Sequence, residues 1–163
     1  MIRLTVDGRT ARVREGASLL EAAADAGVRI PSLCHDARLV PTGTCRLCLV
    51  RVNGADRPVP ACATPAADGM TVAALTPELV RYRRWVRRAL ARRDGAPAAR
   101  GTRPDRGHPF LRVDLSRCVL CFRCVRICDE VEGRRIWRVE GRGAAIRIAP
   151  GPSPTLLASG CAS

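Results

Sequence analysis

The sequence contains no lysine, and all 28 of its basic residues are arginine. Against 15 acidic residues, these arginines give a formal net charge of +13 over 163 residues. A surplus of this size favours acidic partners, such as an acidic subunit, nucleic acid or a membrane surface. The same arginine bias, with abundant alanine, glycine and proline, is also expected from nucleotide-composition pressure on the gene. Part of the basic charge is therefore expected to carry no function.

Large apolar side chains are also scarce. A chain of this length suffices for one ordinary domain or two small ones. Two small domains with few aromatic residues would have marginal cores, which metal centres can stabilise. Nine cysteines are available as ligands. The aromatic residues are Tyr82, Trp85, Phe110, Phe122 and Trp137.

Long hydrophobic runs are absent. No apolar stretch approaches the roughly 18 residues of a membrane span, and the start, MIRLTVDGRT, lacks the apolar segment of a secretory signal. We therefore expect a cytoplasmic protein without a membrane span. In that compartment thiols stay reduced, so clustered cysteines indicate metal ligands rather than disulfides.

The N-terminal segment has the pattern of a hairpin followed by a helix. Apolar and polar residues alternate over 2–6 and 9–14, and Asp7-Gly8 between them is a strong hairpin signal. Ser18 and Glu21 form a capping box for a helix over about 19–26, with the following glycine suited to its C-terminal end. A β-grasp ferredoxin begins in this order, but so does a generic α+β domain.

A first cysteine group follows, with the spacing C-x10-C-x2-C-x13-C. A single CxxC with two distant cysteines suits a [2Fe–2S] loop better than a zinc ribbon, which usually pairs two CxxC knuckles. His35 does not indicate a Rieske centre, because such a centre needs two histidines; we expect it to be solvent-exposed or to cap a helix. The members of the first group are Cys34, Cys45, Cys48 and Cys62.

The segments PSLCHD, GTCRLCLVRVNG and ACATPAADGMTV resemble one known type of domain. It is the N-terminal [2Fe–2S] domain shared by the large subunit of complex I, the diaphorase-side subunit of NAD-linked hydrogenases and the alpha subunit of NAD-linked formate dehydrogenases. The resemblance covers residues 1–75 and implies a β-grasp fold. It also implies that the four cysteines of the first group are the ligands of a [2Fe–2S] cluster.

Residues 76–107 form the second predicted region, an arginine-rich helix and a linker. Thr76 as N-cap and Pro77 after it begin the helix, and seven arginines fill most of its polar surface. We favour a connecting helix over a nucleic-acid-binding one. The linker, 94–107, is rich in glycine, proline and alanine. It lacks the motif of one histidine and three cysteines found in complex I subunits, which weakens a complex I assignment and is tolerable for a formate dehydrogenase-like relative.

The second cysteine group has the spacing C-x2-C-x2-C-x3-C, the bacterial ferredoxin pattern. Its setting, HPFLRVDLSRCVLCFRCVRICDEVEG, resembles the first half of the two-cluster ferredoxin domain of formate dehydrogenase alpha subunits. This resemblance implies that the first three cysteines bind one [4Fe–4S] cluster and that the fourth binds another. A zinc knuckle is disfavoured, because two overlapping CxxC steps would crowd one tetrahedral ion. The members are Cys118, Cys121, Cys124 and Cys128.

The last segment predicts a short hairpin around Gly141 to Gly143, followed by Cys161. Cys161 stands where these relatives begin a second four-cysteine run, so the resemblance implies that it is another ligand of the second [4Fe–4S] cluster. The ligand set is incomplete within this sequence. We therefore expect residues 108–163 to be a partial, apparently truncated [4Fe–4S] ferredoxin-type domain.

Together these patterns predict an α+β protein: a β-grasp [2Fe–2S] ferredoxin domain followed by a partial bacterial-type [4Fe–4S] ferredoxin domain. The resemblance implies a component of an oxidoreductase that carries electrons between a formate-oxidising molybdopterin polypeptide and a flavin partner that reduces NAD. An NADH dehydrogenase or NAD-linked hydrogenase subunit is the alternative parent. No catalytic site is visible in the sequence. A hypothesis of another class is a basic, zinc-holding nucleic-acid-binding protein.

Overall fold

The computed structural model describes residues 1–91, 108–110 and 112–151. The predicted linker and Cys161 lie outside these residues. The chain divides into two compact units, which are described separately. The first comprises Met1–His35 with Val40–Val86, and the second comprises Asp36–Leu39 with Arg87–Ser163. Within the described ranges, no helix combines the length and the apolarity that crossing a membrane requires.

The first unit begins with the predicted hairpin. Strands β1 (Ile2–Val6) and β2 (Arg9–Val13) pair antiparallel. Asp7 and Gly8 both have positive φ angles, 45° and 77°, as a tight two-residue hairpin turn requires. Asp7 does more than turn the chain, because its carboxylate accepts a hydrogen bond of 2.8 Å from the Ala74 N–H. The turn is thereby joined to the chain segment that follows the strand Thr71–Ala73.

Helix α1 (Leu19–Asp25) also follows the prediction. The Ser18 hydroxyl accepts a bond of 3.2 Å from the Glu21 N–H, and the Glu21 carboxylate accepts one of 2.8 Å from the Ser18 N–H. Gly27 ends the helix with a φ of 68°, a conformation in which a β-carbon would be strained. Leu19 and two alanines of the helix are buried against the sheet.

Three further strands complete a five-stranded mixed sheet in the order β2-β1-β5-β3-β4. These are β3 (Leu49–Val52), β4 (Val59–Pro60) and β5 (Thr71–Ala73). Strands β3 and β4 lie between the third and fourth cysteines of the first group, and β5 follows the fourth. Strand β5 runs parallel to β1 and antiparallel to β3. A mixed sheet with one helix packed across it is the β-grasp arrangement that the sequence predicts. The buried core includes Leu4, Val6, Leu19, Val50 and Val72.

Helix α2 (Pro77–Ala91) follows the sheet. The Thr76 hydroxyl accepts a hydrogen bond from the Leu79 N–H at 3.3 Å, as predicted for an N-cap. Leu79 is buried, but so is Arg83. The arginine-rich face predicted from composition is therefore not wholly solvated.

The described residues of the second unit form short helical turns and a hairpin. A one-turn helix α3 (Arg123–Arg126) continues into a π-helical turn, Ile127–Val131. Strands β6 (Trp137–Glu140) and β7 (Arg147–Pro150) form the predicted antiparallel hairpin. Gly141 is required at the turn, because a β-carbon there would collide with the Ala145 carbonyl oxygen.

Removal of the capping box is expected to destabilise the first unit. Ser18→Ala should lower the free energy of unfolding by about 1 kcal/mol, because the Glu21 N–H loses its acceptor. The Ser18 N–H and hydroxyl both donate to the Glu21 carboxylate and lower its pKa. The resulting stabilisation is complete above the unfolded-state pKa of about 4.3 and is lost as pH falls through the lower folded-state value.

Urea unfolding measured between neutral and acidic pH tests both effects. Glu21→Gln should remove this part of the acid dependence, whereas Glu15→Gln, at an exposed position, should keep it. The same acid dependence in both glutamine variants would contradict the role of the capping box.

Candidate metal centres

The four cysteines of the first group come from three separate segments of the first unit. Cys34 lies in the loop after α1, Cys45 and Cys48 lie in the loop that enters β3, and Cys62 lies in the short turn Ala61–Ala63 after β4. Cys45 is half-buried and the other three are buried. The thiols therefore belong to the interior of the unit rather than to its surface.

The structure brings these cysteines together as two pairs. The sulfurs of Cys48 and Cys62 lie 3.4 Å apart. The Cys45 N–H donates to the Cys34 sulfur over 3.5 Å. Each pair joins a cysteine of the CxxC segment to one that is distant in sequence.

Hydrogen bonds to main-chain carbonyl oxygens hold the segment of Cys62 in place. The Ala61 N–H donates to the Cys48 carbonyl oxygen over 3.1 Å. The Thr64 hydroxyl donates to the Pro60 carbonyl oxygen over 2.9 Å. The carbonyl oxygen of Thr64 in turn accepts from the Leu19 N–H at 2.9 Å. The turn that carries Cys62 is thereby tied to β3 on one side and to the start of α1 on the other.

The loop before β3 takes conformations that side chains normally avoid. Arg46, between the two cysteines of the CxxC, has a φ of 56°, which costs a non-glycine residue roughly 1–2 kcal/mol. Gly43 has a φ of 62°, and a β-carbon on it would lie 2.9 Å from Cγ of Pro60. Backbone strain of this kind concentrates at functional sites.

Proximity changes the acidity of the thiols. Burial, the nearby Cys48 thiol and Cys34 together raise the pKa of Cys62 to about 12, although the Gly43 N–H opposes the shift. Burial also raises the pKa of Cys34, with the Cys45 N–H acting against it. Burial would raise the pKa of Cys45 too, but N–H donors from Leu47, Cys34 and Leu33 outweigh it and lower the value.

His35 is placed differently from its expectation. The residue is half-buried rather than solvent-exposed, and its Nδ1 atom is buried without a hydrogen-bond partner among the described residues. A buried polar atom without a partner is unusual in folded proteins. Beside Cys34, this atom is a polar group at the edge of the first centre that a bound ligand could satisfy.

This donor set fits a [2Fe–2S] cluster. Within the described ranges, no three histidine, cysteine or acidic side chains converge as a single metal ion requires. A [2Fe–2S] cluster needs a different arrangement, because each of its two irons takes two cysteines. The two cysteine pairs match that division: the Cys45 N–H donates to the Cys34 sulfur, and the sulfurs of Cys48 and Cys62 are in contact. The N–H groups that donate to these sulfurs are the type of contact that tunes such clusters. The ligand assignment itself stays a prediction.

The second cysteine group supplies three neighbouring thiols in the second unit. Desolvation by nearby atoms raises the pKa of Cys124, and the thiols of Cys121 and Cys118 raise it further, whereas the Val125 N–H lowers it. Cys124 is nevertheless exposed as a residue. Leu120 and Phe122, on either side of Cys121, have φ angles of 54° and 59°. This winding turns the chain around the three thiols and fits the first three ligands of a [4Fe–4S] cluster.

Of the two remaining predicted ligands, only Cys128 lies among the described residues. Cys128 lies in the π-helical turn and is buried against Ile136, with Val113 and Trp137 packed around the pair. Its burial agrees with a side chain directed away from the first three cysteines but does not test a ligand role. The prediction for Cys161 falls outside the described residues.

Arg83 is a residue of this region that sequence reasoning missed. It is only 5% exposed and its guanidinium reaches the loop of the CxxC segment. Its position four residues after Leu79 places it on the apolar stripe of α2. That spacing was the available signal, and the abundance of arginine obscured it.

Two family models match separate parts of the chain. Residues 1–77 match a family described as the 2Fe-2S iron-sulfur cluster binding domain. Residues 108–157 match a family described as the ferredoxin-like domain of NADH-quinone oxidoreductase subunit 3.

Two curated relatives show the extent of the similarity. The chain is 30% identical over 176 residues to the NADPH-Fe(3+) oxidoreductase subunit alpha of Geobacter sulfurreducens, covering 91% of this chain and 21% of the relative. It is 30% identical over 177 residues to the NADH-ubiquinone oxidoreductase 75 kDa subunit of Reclinomonas americana, covering 91% of this chain and 26% of the relative. The chain therefore spans about a fifth to a quarter of the length of these relatives.

A solved structure is similar over nearly the whole chain. It is a chain in the crystal structure of an NAD+-reducing [NiFe]-hydrogenase in the H2-reduced state, with a TM-score of 0.82 and 29% identity. The similarity covers 99% of this chain and 80% of the hydrogenase chain. The predicted fold class, a [2Fe–2S] domain followed by a ferredoxin-like [4Fe–4S] domain, is confirmed.

Gly43→Ala is expected to impair the first centre. The added β-carbon must displace Pro60, which precedes the turn of Cys62, and must take a φ of 62°. We expect a several-fold loss of the iron and sulfide that copurify with the protein. Gly69→Ala is the matched control, because Gly69 has a φ of 73° but open space around it. Equal iron contents in the two variants would show that the contact with Pro60 does not matter.

Proposed function

We propose that this chain is an electron-transfer module of a multi-subunit oxidoreductase, because residues 1–77 match the 2Fe-2S iron-sulfur cluster binding domain and residues 108–157 match the ferredoxin-like domain of NADH-quinone oxidoreductase subunit 3. The observation that carries the proposal is the pairing of the four cysteines of the first group, with one sulfur pair at 3.4 Å. Bound clusters would supply one-electron transfer, and the chain would supply their position and surroundings.

The residues of the first unit have defined tasks under this proposal. Cys34 and Cys45 would hold one iron, and Cys48 and Cys62 the other. Burial of the sulfurs excludes water from the centre, which protects it from hydrolysis and oxidation. The N–H groups around Cys45 stabilise negative charge on its sulfur. These features would maintain a bound redox centre, and no step of bond-making chemistry is assigned to the chain.

In the second unit, Cys118, Cys121 and Cys124 would hold three corners of a [4Fe–4S] cluster. Cys128 and Cys161 would serve a second [4Fe–4S] cluster, as the ferredoxin spacing implies. Two such clusters take eight cysteine ligands, and the sequence has five in this half.

The identity of the parent enzyme is a finer part of the proposal. The names of the relatives support an NAD(P)H- or hydrogen-linked oxidoreductase, with a flavin subunit that exchanges electrons with NAD as the expected partner. A formate-oxidising molybdopterin polypeptide as the second partner is implied only by the resemblance of the second cysteine group. It stays a prediction, as does the cytoplasmic location.

Reciprocal cysteine substitutions test the assignment of both centres. Cys45→Ser should abolish the rhombic electron paramagnetic resonance (EPR) signal of the reduced [2Fe–2S] cluster and destabilise the first unit, because cluster binding contributes to its folding. Cys124→Ser should keep that signal and lose the [4Fe–4S] contribution. Anaerobically purified wild-type protein should be brown. A colourless protein that contains zinc would favour the nucleic-acid-binding hypothesis instead.

Iron analysis tests the incomplete ligand set. After brief exposure to air, the chain should retain about two irons, because only the [2Fe–2S] cluster has all its ligands. A longer chain that includes a second four-cysteine run should bind roughly ten irons anaerobically, two in the first cluster and eight in two [4Fe–4S] clusters. Eight firmly held additional irons in the present chain would contradict the proposal.

A further inference from the structure

Arg83 is a buried cation in the first unit. It is 5% exposed, while its neighbour on the same helix, Arg84, is exposed. Burial of a guanidinium group is costly unless its N–H groups find acceptors. The contacts of Arg83 are therefore specific features of the fold rather than consequences of an arginine-rich composition.

The guanidinium group of Arg83 contacts three main-chain carbonyl oxygens. Its Nε donates to the carbonyl of Leu47 over 3.2 Å, and one Nη donates to that of Leu49 over 2.7 Å. The other Nη donates to the carbonyl of Ala74 over 2.6 Å. Arginine suits this task because its planar fork presents several donors in a fixed geometry.

Two of these carbonyls flank Cys48. Leu47 precedes it and Leu49 follows it, so Arg83 fixes the main chain on both sides of this cysteine. The carbonyl of Cys48 itself accepts from the Ala61 N–H at 3.1 Å. The position of the Cys48 sulfur, 3.4 Å from that of Cys62, therefore depends on α2 as well as on the sheet.

The charge of Arg83 lies beside the loop that carries Cys48 and would act on a cluster bound there. A cluster ligated by four thiolates is anionic, and reduction adds one more negative charge. A buried cation close to the ligand loop stabilises the reduced form more than the oxidised form, and the interaction is strong where water is excluded. Net charge and hydrogen bonding around the sulfurs are main determinants of cluster potential.

We propose that Arg83 is a positioning residue for the first centre. It holds the main chain on both sides of Cys48 and raises the reduction potential of the [2Fe–2S] cluster. The inference rests on the proposed function, since it assumes that the first cysteine group binds this cluster. It assigns to α2, read from sequence as a connecting helix, a direct part in the redox centre.

The test compares substitutions of Arg83 with the same substitutions of Arg84 in the full chain. Arg83→Gln removes the charge, and Arg83→Lys keeps it but cannot reach three carbonyls with the same geometry. Arg84→Gln and Arg84→Lys make the same changes at an exposed position. The measurements are an anaerobic redox titration with dithionite and mediators, followed by EPR, and the rate at which the visible absorption decays in air.

For Arg83→Gln, the ratio of reduced to oxidised cluster at the wild-type midpoint potential should fall roughly three- to tenfold, as expected for removal of one nearby charge. Its cluster should also decay several-fold faster in air. Arg83→Lys should recover most of the lost potential but not the lifetime. Both Arg84 variants should match the wild type in potential, EPR line shape and lifetime.

Equal potentials and lifetimes in Arg83→Gln and Arg84→Gln would overturn the inference. If Arg83→Gln binds no cluster, the comparison of Arg83→Lys with Arg84→Lys decides. A wild-type cluster lifetime and EPR line shape in Arg83→Lys would overturn the inference, whereas a lifetime shorter than that of Arg84→Lys would support it. Absence of a [2Fe–2S] signal from the wild-type protein would instead refute the proposed function.

Discussion

The register of β3 against β4 is the constraint on which the first centre depends. Leu49 pairs with Pro60 and Val50 with Val59, so the next position along the ladder places Cys48 opposite Ala61, beside Cys62. Val50 is completely buried, and a shift by one residue would turn it out of the core. Burial of one apolar side chain thus maintains the register that brings two distant thiols within 3.4 Å.

The core and the first centre are the same region of the molecule. Cys48 and Cys62 belong to the apolar core of the first unit and are almost completely inaccessible to solvent. In the second unit the apolar cluster of the described residues consists of Cys128 and Ile136, with Val113 and Trp137 partly buried against them. So small a core gives little stability by itself. The second unit is therefore expected to depend more strongly on bound clusters than the first.

Local patterns in the sequence were sufficient for the regular elements near the N-terminus. The hairpin turn at Asp7 and the capping box of Ser18 and Glu21 involve residues within a few positions of each other. Both features could therefore be predicted without knowledge of the tertiary structure. The type of both domains was also predicted and is confirmed. The expectation for His35 was wrong, because the residue is half-buried and its Nδ1 has no partner among the described residues, and neighbouring residues in sequence do not reveal burial.

By itself, the sequence determined which chemistry is available: cysteines at the spacings of two iron–sulfur sites. Only the tertiary structure decided how those cysteines pair and which arginine supports them. Cys62 meets Cys48 through strand register, and Arg83 reaches Leu47 and Leu49 because α2 packs over that loop. Such contacts join residues far apart in sequence, and the number of residues between two segments does not give the distance between them in the folded protein.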